Sequence, residues 1–376
     1  MIKDKLGFGL MRLPLTGSDS ADIDIEQFKK MVDLYLERGF TYFDTSYVYH
    51  NGQSENAVRK ALTERHERSE YRLASKFPTF LNIDGKDKIE AVFQEQLDKC
   101  GVSYFDYYLL HNLNHDLVKF AEQSGLFELA QEWKKQGKIL HLGFSWHDSA
   151  AELGKVLDRH PEIEFVQIVV NYYDWDEPVI QSRACYEAIR AHGCGVIAME
   201  PVKGGTLANV PESVKVSMAK LNPELTPSAW ALRFAANLDG MIAVLSGMSN
   251  LEQVEDNTTS MKEFAPLSDA EKAVYAEAKA AIADGWKIKC DWEKLDAAAP
   301  DGVPVSNVIR LYNSCLIQPN PFFAAELNYY RLFKELNNCA DLESRDYSAC
   351  TEALGGKLDA NLAVKEASDF LNEHSF

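Results

Sequence analysis

Four side chains of complementary chemistry stand near the ends of short apolar runs: Asp44 and Tyr49 in "FDTSYVYH", Lys76 in "ASKF" and His111 in "LLHN". A tyrosine, with an ordinary pKa of about 10, is a poor acid at neutral pH, but an ammonium beside it favours phenolate and draws that value toward the working range. Lys76 is the candidate ammonium and Asp44 the carboxylate that would hold it. Tyr49 is then the proton donor, and His111 a group able to aim a substrate carbonyl at it. Singly, each has an ordinary structural use: an aspartate after a strand caps a turn, a lone lysine is a solvated cation, and a histidine there is a hydrogen-bonded prop. Together they form an acid–base set. Ser145 in "GFSWH", Asn171 in "IVVN" and Glu200 in "MEPVKGG" stand at comparable positions.

For these residues to meet, the runs that carry them must end on one rim. Apolar, β-branched or aromatic runs occur at residues 6–13, 40–46, 71–77, 105–111, 139–145, 164–171, 195–202 and 241–248, with amphipathic helical stretches between them. In "IEQFKKMVDLYLERG", for example, Phe28, Met31, Val32, Tyr35 and Leu36 share one face and Gly39 supplies a stop. Strand–helix alternation of this kind predicts an α/β chain folded as a (β/α)8 TIM barrel over residues 1–265, with chemistry at the C-terminal ends of the strands. An open, doubly wound sheet shares the periodicity. Its dinucleotide fingerprint is incomplete, since "GFGLMR" has Arg12 at the third glycine position. Beyond the barrel, residues 266–376 read as a smaller, mostly α-helical domain that begins with a helix capped near Ser268 or Asp269 and stopped at Gly285.

Composition narrows the partners. The 57 acidic against 39 basic residues give a net charge of −18, the wrong sign for phosphate backbones or anionic lipid. No run reaches the ~18–20 apolar residues of a membrane span. The N-terminal "MIKDKLGFGLMRLP" is interrupted by Arg12 and Pro14 and reads as no signal peptide. Seven scattered cysteines without a C-x-x-C pair suit reduced thiols in a cytoplasmic protein.

The stretch "GFTYFDTSYVYHNGQSE" matches the Asp-Thr-Ala-x-x-Tyr signature of the aldo-keto reductases, with Ser46 in place of alanine, and the lysine of "ASK" and histidine of "LLH" follow in order. The barrel region therefore resembles that family. The resemblance implies an NAD(P)H-dependent oxidoreductase that moves a hydride between a nicotinamide and an aldehyde or ketone, or the matching alcohol. It makes Tyr49 the general acid/base, Asp44 and Lys76 its partners, and His111 the orienter. It also implies cofactor positions. Ser145, Gln167 and Asn171 would hold the nicotinamide and its carboxamide, Met11 and Arg12 would border the cofactor, and Met199 would lie under the ring. Lys203, Gly204 and Gly205 would meet the pyrophosphate, and Gly247, Ser249, Gln253, Asp256 and Asn257 the adenosine end. Many relatives have lysine and arginine where Gly247 and Gln253 stand, binding the 2′-phosphate. NADP(H) over NAD(H) is still what the resemblance implies, with Arg12 as a substitute partner.

Within the family the chain is most similar to the branch with a C-terminal ferredoxin-like domain, through "YHNGQSE", "MEPVKGG", "SGMSNLEQVEDN" and "NVIRLYN". That branch has two cysteine runs. Here the first reads Cys290, Glu293, Asp296, Ala299, Pro300, and the second Cys350, Ala353, Gly356, Ala360, Asn361. Clusters need cysteine thiolates, normally four apiece, so no iron–sulfur cluster is expected and no other metal is assigned. The rival, a mixed Cys290–Glu293–Asp296 metal site, rests on carboxylates at a spacing that is usually solvated. Without clusters the extension must depend on its own apolar residues, such as those of "FFAAELNYYRLF". The expected partner is a small carbonyl or alcohol, not nucleic acid or membrane, with self-association left open. The alternative function is a cofactor-binding regulatory or scaffold subunit with little turnover, of which the family has examples attached to channels. A pure binding module has no need of the full Asp44, Tyr49, Lys76 and His111 set.

Overall fold

Each of the eight apolar runs forms a strand in the computed structural model: β1 (Leu6–Gly9), β2 (Tyr42–Asp44), β3 (Arg72–Phe77), β4 (Phe105–Leu113), β5 (Ile139–Trp146), β6 (Phe165–Val169), β7 (Gly195–Met199) and β8 (Met241–Gly247). They pair in parallel in chain order, and β8 returns to β1 to close the barrel, which rules out the open sheet. The structure describes residues 1–374 apart from 322, 323, 325, 338, 340 and 357, so Phe322, Phe323 and Ala325 of the apolar stretch lie outside the described residues.

The barrel interior is filled by Tyr42, Ala74, Leu109, Phe165, Ile197, Ala243 and Leu245, contributed by six of the strands, so it is a packed core and not a channel. Gly7 belongs to this packing. A Cβ on it would come within 2.7 Å of Leu245 Cδ2, so the first glycine of "GFG" makes room for the side chain of its register partner on the neighbouring strand β8. The strand β1 stops at Gly9, earlier than its apolar run, because Leu10–Arg12 turn into a short 3-10 helix. Outside, the helix Ile25–Glu37 is capped by Asp24, whose carboxylate accepts the Gln27 N–H, and it buries Phe28, Met31, Val32 and Tyr35.

The chain divides into two compact units. The first holds residues 1–172, 182–201 and 224–268, and the second holds 173–181, 202–223 and 269–376. The second unit is thus discontinuous and is not described by a single cut at residue 265: it combines the segments that follow β6 and β7 in sequence with the C-terminal helices. A long-range bond explains the pairing of one such segment, since the Trp286 indole N–H donates to Tyr173 Oη at 2.6 Å.

Within the second unit the described C-terminal residues are helical or irregular, with helices Asp269–Ala283, Trp292–Ala298, Val305–Leu316, Glu326–Leu336 and Ala360–His374. Leu327, Tyr330, Phe333, Val364 and Leu371 are buried there. The positions aligned with cluster ligands have structural uses. Asp296 accepts the Ser306 N–H at 2.8 Å and its hydroxyl at 2.6 Å, satisfying a first-turn donor of the helix Val305–Leu316 that its N-cap, Pro304, leaves open, and the Ala353 carbonyl accepts the Asp291 N–H. Among the described residues no helix is long and apolar enough to cross a membrane.

Candidate active site

The parallel register decides where the polar strand ends lie. Asp44, the last residue of β2, pairs with Gly9 of β1. Ser145 of β5 pairs with Gln167 of β6, Val169 pairs with Met199 at the end of β7, and Gly9 pairs with Gly247 at the end of β8. Gly9, Asp44, Ser145, Val169, Met199 and Gly247 are at or next to the C-terminal ends of their strands, on one rim, and Gln167 lies at the middle of β6 beside Ser145.

There Asp44, Tyr49, Lys76 and His111 converge. Lys76 is fully buried, and its ammonium donates to Asp44 Oδ1 at 2.5 Å, to the Thr45 carbonyl at 2.8 Å and to Tyr49 Oη at 3.3 Å. The ammonium also sits 4.7 Å from the centre of the Tyr49 ring. The His111 ring stands edge-on to Tyr49, with centroids 5.9 Å apart, and its Nδ1 lies 3.1 Å from Ser46 Oγ.

Electrostatics sharpen the roles. Burial by itself disfavours the Lys76 ammonium, but Asp44 and Tyr49 outweigh that and hold its pKa above the ordinary lysine value. Tyr49 departs from the sequence expectation. Burial raises its pKa above 10, Asp44 and Glu200 add to the rise, and Lys76 opposes it without reversing it. Complete burial outweighs the pull of the ammonium, and Asp44, bonded to Lys76, offsets part of that pull. The resting tyrosine is therefore a protonated donor. Burial, then Lys76 and His147, hold the His111 pKa well below 6.5, so its imidazole is neutral.

The remaining predicted positions divide. Ser145 Oγ accepts the Asn112 N–H at 2.7 Å, Asn171 donates to the Glu200 carbonyl at 3.1 Å, and Gln167 Oε1 is buried with no hydrogen-bond partner among the described residues. Met199 ends β7 and Met11 is exposed on the first turn. Arg12 lays its stem across Gly247: a Cβ there would come within 3.1 Å of Arg12 Cδ, so the glycine leaves the room that the arginine occupies. Its guanidinium reaches Glu200 Oε1 at 3.7 Å, and Ser249 Oγ donates to the Arg12 carbonyl at 2.8 Å. Gln253 Oε1 accepts the Ser249 N–H, Asp256 accepts from the Thr226 and Ser228 hydroxyls, and Asn257 is buried and donates to Ser246 Oγ. Lys203, with Gly204 and Gly205, belongs to the second unit. Its buried ammonium is held by Asp174 and Glu326, so it is not available to a phosphate, and this corrects the role expected for that side chain. Sequence reasoning missed Phe80, whose ring stands 5.6 Å from that of His111, because it lies in an irregular turn after β3 that no periodicity marks.

A family profile described as the aldo/keto reductase family matches residues 5–279. The chain belongs to the aldo/keto reductase family. This aldo/keto reductase is 22% identical over 295 residues to "Uncharacterized oxidoreductase YqkF" of Bacillus subtilis, a match covering 68% of this chain and 90% of that one. It is 23% identical over 223 residues to a Trypanosoma cruzi 9,11-endoperoxide prostaglandin H2 reductase, covering 59% and 72%. Among solved structures it shares its fold with an aldo-keto reductase from Klebsiella pneumoniae in complex with NADPH, at a TM-score of 0.57 and 18% identity over 74% of this chain and 96% of that one. Family membership makes the protein an NAD(P)-dependent oxidoreductase acting on small carbonyl or alcohol substrates.

Proposed function

We propose that this aldo/keto reductase reduces an aldehyde or ketone at the expense of NADPH, with Tyr49 giving the proton, and that the same groups run the reverse oxidation of the alcohol. The observation that carries this reading is the Tyr49 hydroxyl 3.3 Å from the Lys76 ammonium, with the His111 ring edge-on to the phenol at 5.9 Å; burial raises the tyrosine pKa and lowers that of the histidine, which suits a proton donor beside a neutral imidazole. A bound nicotinamide supplies the hydride. The residues do the rest. His111 orients the carbonyl oxygen toward Tyr49, and Tyr49 transfers its phenolic proton to that oxygen. As the proton leaves, charge develops on an oxygen already facing Lys76, which stabilises it where it forms. Asp44 keeps Lys76 in place and charged.

The residues at the strand ends suit a nicotinamide carboxamide. Among the described residues Gln167 Oε1 lacks a donor, and Ser145, which accepts from Asn112, keeps its own proton to give. An amide offers an N–H to the first and a carbonyl to the second. In this reading Arg12, whose stem fills the space over Gly247 and whose guanidinium stands 3.7 Å from Glu200 Oε1, is the cation that would turn from that carboxylate to a 2′-phosphate and so favour NADP(H) over NAD(H). The retained set of four supports an enzyme over a binding subunit. The net charge of −18 supports small-molecule partners over nucleic acid, and seven free cysteines support a cytoplasmic location. In this reading the extension holds no iron–sulfur cluster, since Cys290 and Cys350 alone keep the ligand type and Asp296 is engaged by Ser306.

Fluorescence titration with NADPH and NADH, followed by a carbonyl panel with the tighter binder, tests the proposal. The expected result is preferential NADPH binding with turnover, and about tenfold weaker NADPH binding in Arg12→Ala with little change for NADH. Tight binding with no turnover across the panel would move the protein to the binding-subunit reading.

A further inference from the structure

Ser46 stands where the family signature has alanine, and the structure gives the added hydroxyl a partner. Ser46 is fully buried between Thr45 and Tyr47, just beyond β2, and its Oγ lies 3.1 Å from His111 Nδ1. Among the described residues Oγ has no other hydrogen-bond partner, and His111 makes no hydrogen bond through Nε2. The imidazole is neutral, so one of its nitrogens carries a proton and the other a lone pair.

Two arrangements satisfy the 3.1 Å contact, and they differ in cost. If Nδ1 carries the proton and donates it to Oγ, the Ser46 hydroxyl proton is left in a buried site with no acceptor. If Ser46 donates to the Nδ1 lone pair, both groups are satisfied and the imidazole proton must sit on Nε2. The second arrangement strands nothing. It also determines what His111 offers a ligand, because an Nε2–H attracts a carbonyl oxygen whereas an Nε2 lone pair repels it.

We propose that Ser46 is a positioning residue that fixes His111 in the tautomer protonated on Nε2, so that the ring presents a hydrogen-bond donor to the substrate oxygen. The use of that donor rests on the carbonyl-reducing reading above, but the tautomer itself does not. Tyr49 and Phe80 confine the ring from two sides by edge-on contacts at 5.9 and 5.6 Å, so Ser46 selects the tautomer while the aromatic pair limits reorientation.

The test is a long-range proton–nitrogen correlation spectrum of the whole chain labelled with nitrogen-15 histidine, recorded without cofactor, with His111 assigned by its loss in His111→Gln. The expected spectrum shows an unprotonated Nδ1 and a protonated Nε2. In Ser46→Ala both tautomers should be populated, and reductive kcat should fall about tenfold while cofactor affinity holds. A protonated Nδ1 in the unaltered chain would overturn the proposal, and this decides the matter even if Ser46→Ala does not fold. An unchanged Nε2–H tautomer in Ser46→Ala would overturn it as well. The expected spectra from a chain that reduces no carbonyl would uphold the assignment of Ser46 and remove the reductase reading instead.

Discussion

The first unit buries Lys76 and the second buries Lys203, and both are salt-bridged, yet they are built for different ends. Lys76 faces one carboxylate, Asp44, and its remaining donors reach the Thr45 carbonyl and the Tyr49 hydroxyl. Lys203 faces two carboxylates, Asp174 and Glu326. Glu326 is further satisfied by Ser314 and Gln318, each at 2.7 Å. Burial disfavours the charge of Lys203, but the two carboxylates raise its pKa well above the ordinary lysine value. A single carboxylate leaves a lysine able to stabilise charge on a third group, whereas two carboxylates consume it. Burial and pairing are common to both, so neither alone marks a catalytic lysine. What distinguishes Lys76 is a hydrogen bond to the hydroxyl of its neighbour Tyr49, whereas Tyr173, with its ring centre 5.1 Å from the Lys203 ammonium, has its hydroxyl engaged by Trp286.

The largest effect expected from breaking this contrast is at that neighbour. Tyr49→Phe removes the proton donor and keeps the ring, and turnover should fall by about 10² or more while NADPH still binds. Steady-state kinetics at saturating cofactor would measure it, and wild-type turnover in the variant would sink the mechanism. On the other side, Lys203→Met leaves two buried carboxylates without their cation, and equilibrium unfolding in urea should show a loss of about 3–5 kcal/mol. A loss below about 1 kcal/mol would mean that the triad is not the lock described. The smallest effect sharpens the first lysine's role through pH. Tyr49 has a raised pKa, so its acid form persists through neutral pH. Reductive turnover should stay level up to about pH 9, while alcohol oxidation, which needs the phenolate, should climb with pH. A reductive limb that titrates near neutrality would contradict this, all the more because a His111 pKa well below 6.5 leaves no histidine limb there.

The contrast also explains what could be read from the sequence. Strand runs such as "EFVQIVVN" declare themselves by β-branched density, and the parallel barrel follows from their alternation with helices. Asp44, Lys76 and His111 were legible because each punctuates a strand, and a barrel brings strand ends together whatever their separation in the chain. Lys203 was misread because "KGG" looks like a phosphate turn in isolation, while its partner Glu326 is 123 residues away in a segment with no pattern that points back. The Tyr49 pKa was misjudged for a similar reason. The adjacent ammonium was visible, but the balance between complete burial, the field of Lys76 and its partial offset by Asp44 is a property of the folded site. Ser46 stood in the sequence only as a departure from the family's alanine, and its partner is visible once the His111 ring is placed against it.

The divided second unit bears on how the chain matures as it is made. Residues 173–181 and 202–223 leave the ribosome well before the helices that complete their unit. Synthesis proceeds at about 5–20 residues per second, so Lys203 emerges several seconds at least before Glu326 does. For that interval Asp174 is the only one of its two carboxylates that the chain has yet produced. The barrel strands, by contrast, are all present once Gly247 is out. The order of synthesis thus allows the rim that carries the proposed catalytic set to assemble first, and the second lysine's lock closes only when the last third of the chain arrives.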